Sequence, residues 1–214
     1  MNETVFRSPK KTGRLGIFLS GRGSNFQAIQ EAVSAGRIDA SIVLVFSNKE
    51  EAPGLAAARL LGLETLHLDP KAFADRESYD LALADEIRRR HIDLICLAGY
   101  MRVLTPGFCE AFRNRILNIH PALLPAFPGL HVQRKAIEWG VRYSGATVHF
   151  VAPEVDMGPI VLQAVVPVKQ DDTEDTLAAR ILVEEHRIYP EAVRLFFEGR
   201  IEVRGRRVFI LDEA

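Results

Sequence analysis

The sequence predicts an α/β protein built on a mostly parallel sheet that helices cover on both faces. Through the first 120 residues, short apolar runs alternate with segments of helical periodicity, which is the pattern of repeated strand–helix–strand units. Most of these apolar runs are continuous instead of alternating, as expected for parallel strands that are buried on both sides. After residue 145, two partly alternating runs precede a long helical stretch. These runs predict a C-terminal β-extension followed by a long helix.

Each element is predicted from its own periodicity and from the residues that bound it. Strands are predicted at 14–20, 40–48, 64–69, 92–100 and 115–120, and helices at 25–36, 52–62, 75–91 and 106–112. A hairpin-like pair is predicted at 145–151 and 159–168, a long helical stretch at 172–200 and a closing hairpin at 200–211. Pro190 predicts a kink or break near Tyr189, because proline lacks the N–H that a helix interior requires.

The composition is that of an ordinary soluble globular protein. The 214 residues are 48% hydrophobic and 26% charged, with a net charge of −1. This balance argues against a nucleic-acid-binding face and against an anionic-membrane partner. The two cysteines, Cys96 and Cys109, form no CxxC pair, so neither a disulfide framework nor a thiolate zinc site is expected. A reducing cytoplasm is therefore the default location.

The N-terminal segment is polar and basic and lacks the apolar core of a signal peptide, and no 18-residue apolar run occurs in the chain. We interpret residues 1–13 as a flexible N-terminal tail, with a partner-binding arm as the alternative. Residues 14–214 contain no internal repeat, low-complexity tract or linker, and they are predicted to form a single domain. The sequence leaves open whether the protein is a monomer or a homodimer.

A glycine-containing loop, SGRGSN at residues 20–25, joins the first strand to the first helix. It has the G-x-G of dinucleotide-binding loops, but Phe26 replaces the third glycine, and the second strand ends in FSNK without an acidic residue. NAD binding is therefore disfavoured. A phosphate monoester fits better, since a helix N-terminus offers free N–H groups and Ser24 and Asn25 can cap the helix and donate to oxygens. An ordinary tight turn with a helix cap is the alternative.

The six histidines include no H-x₃-H or HExxH pattern, so no zinc site is expected. His67 and His91 are interpreted as surface or packing residues. His131 is interpreted as a turn residue, and His186 as part of a solvated helix face. His149 lies on a predicted strand, where it is either a core histidine or a support for a functional group.

The sixth histidine, His120, ends the predicted strand 115–120, and Asn118 lies two residues before it. Ligands of open α/β sheets bind at the carboxyl ends of strands, and side chains two apart on a strand point to the same face. An amide N–H can stabilise a developing oxyanion, and an imidazole can transfer a proton near neutral pH. The pair therefore indicates a candidate site, although Asn-x-His spacing also occurs by chance.

A third candidate group, Asp156, lies in the loop between the two strands of the β-extension. A lone aspartate in a loop is most often a turn former. If this loop folds over the end of the sheet, Asp156 can pair with His120, which would favour the imidazolium and orient the ring.

Seven segments together resemble one enzyme family. They are SGRGSNFQAI, VFSNK, LAGYMRVL, ILNIHPALLPAFPGLH, GATVHFV, DMGPIVLQ and EEHRIYP, in the family's order over about residues 14–190. These segments are similar to those of the phosphoribosylglycinamide formyltransferases, also called GAR transformylases. The resemblance implies transfer of the formyl group of 10-formyltetrahydrofolate to the amine of glycinamide ribonucleotide in de novo purine biosynthesis. It also implies a Rossmann-like N-terminal half.

The resemblance further implies roles for particular residues. The implied catalytic trio is Asn118, His120 and Asp156. The implied contacts to glycinamide ribonucleotide are Gly23, Ser24 and Asn25 at the phosphate and Glu185 at the ribose. The implied folate contacts are Arg76, Met101, Arg102, Val103, Leu104 and the shared Asn118. Both partners are small molecules, and no metal, nucleic acid or membrane is implied. Arg76 suits the carboxylate of the folate's glutamate tail, and its alternative is an exposed residue in the first turn of a helix.

Three other functions are weighed against this one. Formyltetrahydrofolate deformylases share the transfer core but usually carry an additional N-terminal domain. Methionyl-tRNA formyltransferases normally add a C-terminal RNA-binding domain and a basic surface, and neither fits 214 residues at a net charge of −1. A non-catalytic folate- or nucleotide-binding module would keep the pocket but would not need the trio.

Overall fold

The computed structural model describes residues 5–212, which form ten strands and six α-helices. The strands are β1 (Val5–Arg7), β2 (Gly13–Leu19), β3 (Ala40–Ser47), β4 (Thr65–His67), β5 (Leu94–Leu97), β6 (Ile116–His120), β7 (Tyr143–Phe150), β8 (Ile160–Pro167), β9 (Ile201–Arg204) and β10 (Arg207–Ile210). The helices are α1 (Ser24–Ser34), α2 (Pro53–Leu60), α3 (Arg76–Arg89), α4 (Pro106–Ala111), α5 (Val132–Glu138) and α6 (Glu174–Phe197), with a 3₁₀ turn at Pro70–Ala72. No helix within residues 5–212 is long and apolar enough to cross a membrane.

Seven strands form the central sheet, in the order β4-β3-β2-β5-β6-β7-β8. The strands from β4 to β6 pair in parallel, and β7 and β8 pair antiparallel at one edge. Because β2, β5 and β6 are parallel neighbours, their carboxyl ends lie side by side. They form the edge of the sheet, made of strand ends, where open α/β folds bind ligands. The predicted mostly parallel sheet with a C-terminal β-extension is confirmed.

Helices cover both faces of this sheet, as predicted. One apolar layer packs α1, α2 and α6 against the sheet through buried side chains such as Phe26, Leu55 and Leu177. The other layer packs α3 and α4 against the opposite face through Tyr79 and Phe108. The central strands are consequently buried on both sides, which explains why their sequences are continuous apolar runs.

The N-terminal segment is part of the fold from Val5 onward. β1 pairs antiparallel with β9 in a second, three-stranded sheet of order β1-β9-β10. Phe6 contacts Phe150 edge-on, with ring centroids 6.3 Å apart, and stacks on Phe196 at 6.4 Å. The predicted flexible tail over residues 1–13 is therefore wrong from residue 5 onward, because one aromatic side chain anchors an otherwise polar segment; residues 1–4 lie outside the described range.

Helix α6 runs unbroken through Pro190, so the break predicted near Tyr189 does not occur. The helix begins with the Thr173 hydroxyl accepting the Thr176 backbone N–H at 3.2 Å. It then buries a long apolar face against the sheet, and this packing outweighs the one helical hydrogen bond that proline removes. The sequence patterns also failed to reveal α5, which spans only seven residues.

Truncating Phe6 tests whether the N-terminal strand stabilises the fold. We expect Phe6→Ala to lower the free energy of unfolding by about 1–3 kcal/mol, less than for a fully buried phenylalanine because Phe6 is only partly buried. Val5→Ala, at a neighbouring side chain that is 52% exposed, should change it by no more than about 0.5 kcal/mol. Denaturant unfolding of both variants makes the comparison, and equal losses would show that β1 does not anchor through Phe6.

Candidate active site

The pairing of β6 with β7 brings four polar side chains to one face of the sheet. Asn118 lies opposite His149, and His120 lies opposite Thr147. Directly paired residues of antiparallel strands point to the same side. The intervening Leu117 and Ile119 belong to the apolar layer beneath α6. Asn118 and His120 therefore share a face, as their spacing predicted, and this face looks away from α6.

The Asp156 loop, residues 151–159, folds back across this face. Asp156 adopts a left-handed backbone conformation with φ of 57°, and its side chain is only 9% exposed. Its Oδ2 lies 3.4 Å from Nδ1 of His120 and accepts the backbone N–H of Gly129 at 2.8 Å. Its Oδ1 lies 3.7 Å from Nε2 of His149. The structure thus brings Asp156 and His120 together.

The second nitrogen of His120 contacts the proline loop, residues 121–131. Its Nε2 lies 2.9 Å from the carbonyl oxygen of Phe127. Since a carbonyl oxygen can only accept, Nε2 carries a proton in this arrangement. The ring is almost fully buried and is therefore held between a carboxylate at Nδ1 and a carbonyl at Nε2.

His149 orients the amide of Asn118. Nδ1 of His149 lies 2.9 Å from the Phe150 carbonyl oxygen, so Nδ1 carries the proton and Nε2 is an acceptor. Nδ2 of Asn118 lies 3.1 Å from that acceptor and donates to it. Burial lowers the pKa of His149 and keeps the ring neutral. The sequence left His149 as either a core histidine or a support for a functional group. The contact with Asn118 favours the support, because it fixes one amide hydrogen of Asn118 and leaves the other pointing away from His149.

A small hydrogen-bond network fixes the base of the proline loop. The Thr147 hydroxyl donates to the carbonyl of Ala122 at 2.7 Å and accepts the N–H of Leu124 at 3.1 Å. Gln163 on β8 donates to both the Leu124 carbonyl and the Thr147 hydroxyl, at 2.9 and 3.0 Å. Sequence reasoning missed both residues, because their roles depend on the register of three strands.

The glycine loop, residues 20–25, begins helix α1 with a different N-cap from the one predicted. Gly23 is the N-cap, with φ of 76°, and no side chain caps the helix. The predicted capping by Ser24 and Asn25 is therefore wrong, because glycine adopts this left-handed conformation without strain. The Asn25 amide instead donates to Oε2 of Glu185 at 2.7 Å. Burial raises the pKa of Glu185 while the Asn25 bond opposes that rise. This hydrogen bond between Asn25 and Glu185 joins the glycine loop to α6.

One oxygen in this contact has no hydrogen-bond partner. Oδ1 of Asn25 is buried and accepts no hydrogen bond from the described residues. Buried polar atoms are almost always paired in native proteins. An acceptor of this kind, next to the glycine loop, suits a hydroxyl donated by a small molecule.

The 98–104 segment follows β5 at the same edge of the sheet. Met101 and Val103 are 65% and 54% exposed, whereas Leu104 is buried in the core. Nη2 of Arg76 donates to the Val103 carbonyl at 2.6 Å, and the Arg102 guanidinium lies 4.5 Å from the centroid of the Tyr79 ring. The segment thus offers exposed apolar side chains and two cations, while Leu104 can offer only its backbone.

Two further predictions from the sequence concern His131 and a metal site. His131 precedes α5 with φ of 58°, in agreement with its interpretation as a turn residue. Within residues 5–212, no group of three or more metal-ligating side chains is close enough to hold a metal ion. The site is therefore an amide, an imidazole and a carboxylate beside two loops, a set suited to stabilising an oxyanion and moving a proton.

Residues 14–193 match the formyl transferase family. The match covers every strand of the central sheet, apart from the first residue of β2, and all the residues of the site described above. The fold is therefore that of a formyl transferase, an enzyme of one-carbon transfer.

Comparison with individual proteins identifies the subfamily of formyl transferases to which the chain belongs. The chain is 46% identical to phosphoribosylglycinamide formyltransferase of Escherichia coli (strain K12) over 194 residues, 91% of this chain and 92% of that protein. Glycinamide ribonucleotide transformylase 1 from Symbiobacterium toebii superposes with a TM-score of 0.92 at 54% identity, over 94% of this chain and 95% of that one. A formyltetrahydrofolate deformylase from Pseudomonas syringae pv. tomato superposes with a TM-score of 0.87 at 25% identity. The superposition covers 94% of this chain and 67% of that one. The chain belongs to the phosphoribosylglycinamide formyltransferase family and performs formyl transfer in purine biosynthesis.

The neutral state of His149 predicts how stability depends on pH. Because the folded pKa lies below the ordinary value of about 6.5, the unfolded chain binds more protons, and stability falls as pH decreases through that value. We expect a loss between pH 7.5 and 5.5 with a slope of at most about 1.4 kcal/mol per pH unit from this residue.

Two variants isolate the contribution of His149. His149→Gln should flatten the dependence of unfolding free energy on pH, measured by denaturant titration across this range. His186→Gln is the comparison: burial also lowers the pKa of His186, so this variant should flatten the dependence as well, but less, because the residue is only half-buried. An unchanged slope in His149→Gln would contradict a neutral buried ring.

Proposed function

We propose that the protein transfers the formyl group of 10-formyltetrahydrofolate to the amine of glycinamide ribonucleotide by direct attack of that amine. The observation that supports this most is the meeting of Asn118, His120 and Asp156 on one face at the carboxyl end of β6, with Asp156 3.4 Å from His120. No covalent intermediate is needed. The proposal includes a cytoplasmic location, which rests on two cysteines that are both buried thiols.

In the proposed reaction, the substrate amine attacks the formyl carbon and the C=O electron pair moves to oxygen. The free amide hydrogen of Asn118 and the Nε2 proton of His120 stabilise that oxyanion; such a donor is typically worth roughly 10²–10³-fold in rate. Asp156 orients His120 and an ordered water that carries a proton from the attacking nitrogen to N10. The bond from the formyl carbon to N10 then breaks, and tetrahydrofolate leaves with that proton.

The Phe127 carbonyl marks where the reacting oxygen belongs in this proposal. This carbonyl oxygen accepts the Nε2 proton of His120 at 2.9 Å. It therefore lies where any other acceptor of that proton would have to lie. We propose that the formyl oxygen replaces this carbonyl when the proline loop shifts. Movement of such loops commonly accompanies substrate binding.

The two substrates are proposed to bind on either side of the trio. For glycinamide ribonucleotide, the N–H groups at Gly23, Ser24 and Asn25 suit the phosphate. Glu185 and the unpaired Asn25 Oδ1 suit the ribose hydroxyls. For the folate, the proposed contacts lie along the 98–104 segment and are Arg76, Met101, Arg102, Val103, the backbone of Leu104, and Asn118.

The trio is tested by His120→Ala and Asp156→Asn. We expect each to lower turnover by roughly 10²-fold or more while both substrates still bind, because neither change fills the site or removes a substrate-anchoring group. Steady-state kinetics and calorimetric titration give the two quantities. Asp85→Asn, at an exposed ion pair with Arg88, is the control and should keep full turnover. Near-normal turnover of either trio variant would refute the assignment.

Position 158 tests whether the path of the Asp156 loop matters. A Cβ at Gly158 would lie 1.7 Å from the Phe150 carbonyl oxygen, so the loop backbone must move. We expect Gly158→Ala to lower turnover by roughly 10²-fold, as misplacement of about 1 Å can do. Gly107→Ala is the control, since its Cβ would meet nothing within 4 Å. If both variants turn over normally, Asp156 does not need this loop path.

Formate release distinguishes the nearest alternative, a deformylase. Purified protein is incubated with 10-formyltetrahydrofolate, with and without glycinamide ribonucleotide, and tetrahydrofolate and formate are measured. Tetrahydrofolate that forms only when the ribonucleotide is present supports the proposal. Formate released without it would favour hydrolysis, and an absence of turnover would favour a binding module.

A further inference from the structure

Helix α6 places a tyrosine hydroxyl beneath the strand that carries Asn118. Tyr189 is fully buried, and its hydroxyl lies 2.9 Å from the Leu117 carbonyl oxygen and 3.1 Å from the Leu97 carbonyl oxygen. Since the carbonyls can only accept, the tyrosine proton is shared between them.

Both carbonyls belong to peptides that lead directly into the site. The Leu117 carbonyl is in the peptide bond to Asn118, so holding this oxygen holds the plane from which the Asn118 side chain departs. The Leu97 carbonyl is in the peptide bond to Ala98, at the start of the 98–104 segment. Leu97 and Asn118 form the last residue pair between β5 and β6. The hydroxyl therefore lies where the two strands separate.

The same face of α6 carries a contact to the glycine loop. Glu185 lies four residues before Tyr189, so the two side chains project from one side of the helix. Glu185 accepts the Asn25 amide at 2.7 Å. One rigid helix consequently fixes the glycine loop, the strand end at Asn118 and the start of the 98–104 segment relative to one another.

We propose that Tyr189 is a positioning residue of the transfer site, acting through Asn118 by holding the Leu117 and Leu97 carbonyls. This inference rests on the proposed role of Asn118. Removal of the hydroxyl leaves buried carbonyl oxygens without that donor, and β6 relaxes at the peptide that precedes Asn118. Binding of the ribonucleotide, which the proposed function assigns to the glycine loop and Glu185, changes little, whereas the alignment of the amide with the developing oxyanion is lost.

The test is a double-mutant cycle of Tyr189→Phe and Asn118→Ala. We expect Tyr189→Phe to lower kcat roughly tenfold, since small misplacements of catalytic groups carry penalties of that order, while KM for glycinamide ribonucleotide changes less than about twofold. In the Asn118→Ala background, Tyr189→Phe should have no further effect on kcat. A Tyr189→Phe variant with normal kcat, or one whose effect multiplies with that of Asn118→Ala, would overturn the inference.

A control and a second probe complete the test. Tyr79→Phe removes another buried hydroxyl, which lies 3.5 Å from the Leu68 carbonyl on the opposite face of the sheet; it should change unfolding but not show coupling to Asn118. If Tyr189→Phe does not fold, 3-fluorotyrosine at position 189 keeps the ring and the hydroxyl, adds one fluorine atom and makes the hydroxyl a stronger hydrogen-bond donor. It should shift kcat in wild type but not in Asn118→Ala, and a shift in both, or in neither, would overturn the inference.

The cycle also separates this inference from the proposed function. Near-normal turnover in Asn118→Ala alone would refute the role of the amide, and with it the proposal for Tyr189. A large loss in Asn118→Ala combined with independent, multiplicative effects of Tyr189→Phe would refute only the positioning role.

Discussion

The antiparallel pairing of β6 with β7 is the constraint on which the site depends. β5, the other neighbour of β6, runs parallel to it, whereas the residues of β6 and β7 face each other directly in antiparallel pairs. That geometry sets His149 opposite Asn118 at hydrogen-bonding distance. A slip of β7 by one residue would turn Thr147 and His149 into the apolar layer under α6. The buried layer and the polar face therefore specify the same register.

Asp156 joins two loops that are distant in sequence. Its carboxylate contacts His120 on one side and accepts the Gly129 N–H on the other, so the Asp156 loop and the proline loop restrain each other. A buried carboxylate is costly unless it is paired and hydrogen-bonded. The same requirement that stabilises this charge thus holds the imidazole at the strand end.

Features that depend on local sequence were predictable, and features that depend on distant partners were not. Each strand of the central sheet and the shared face of Asn118 and His120 follow from periodicity over a few residues. The contact of His149 with Asn118 depends on cross-strand register, and the role of Phe6 depends on β9, nearly the whole chain away. The helix break expected near Pro190 does not occur, because packing along α6 outweighs a local helix-breaking preference.

The continuity of α6 has a consequence for how the molecule opens. Its 24 residues span about 36 Å, from Glu174, paired with Arg134 at the N-terminal end, to Phe196, which stacks on Phe6 of β1 at the other. Its buried side chains belong to a single apolar cluster that includes Leu117, directly beneath the site. Separating either end breaks that cluster, so we expect the backbone amides of β6 and β9 to exchange through the same cooperative unfolding.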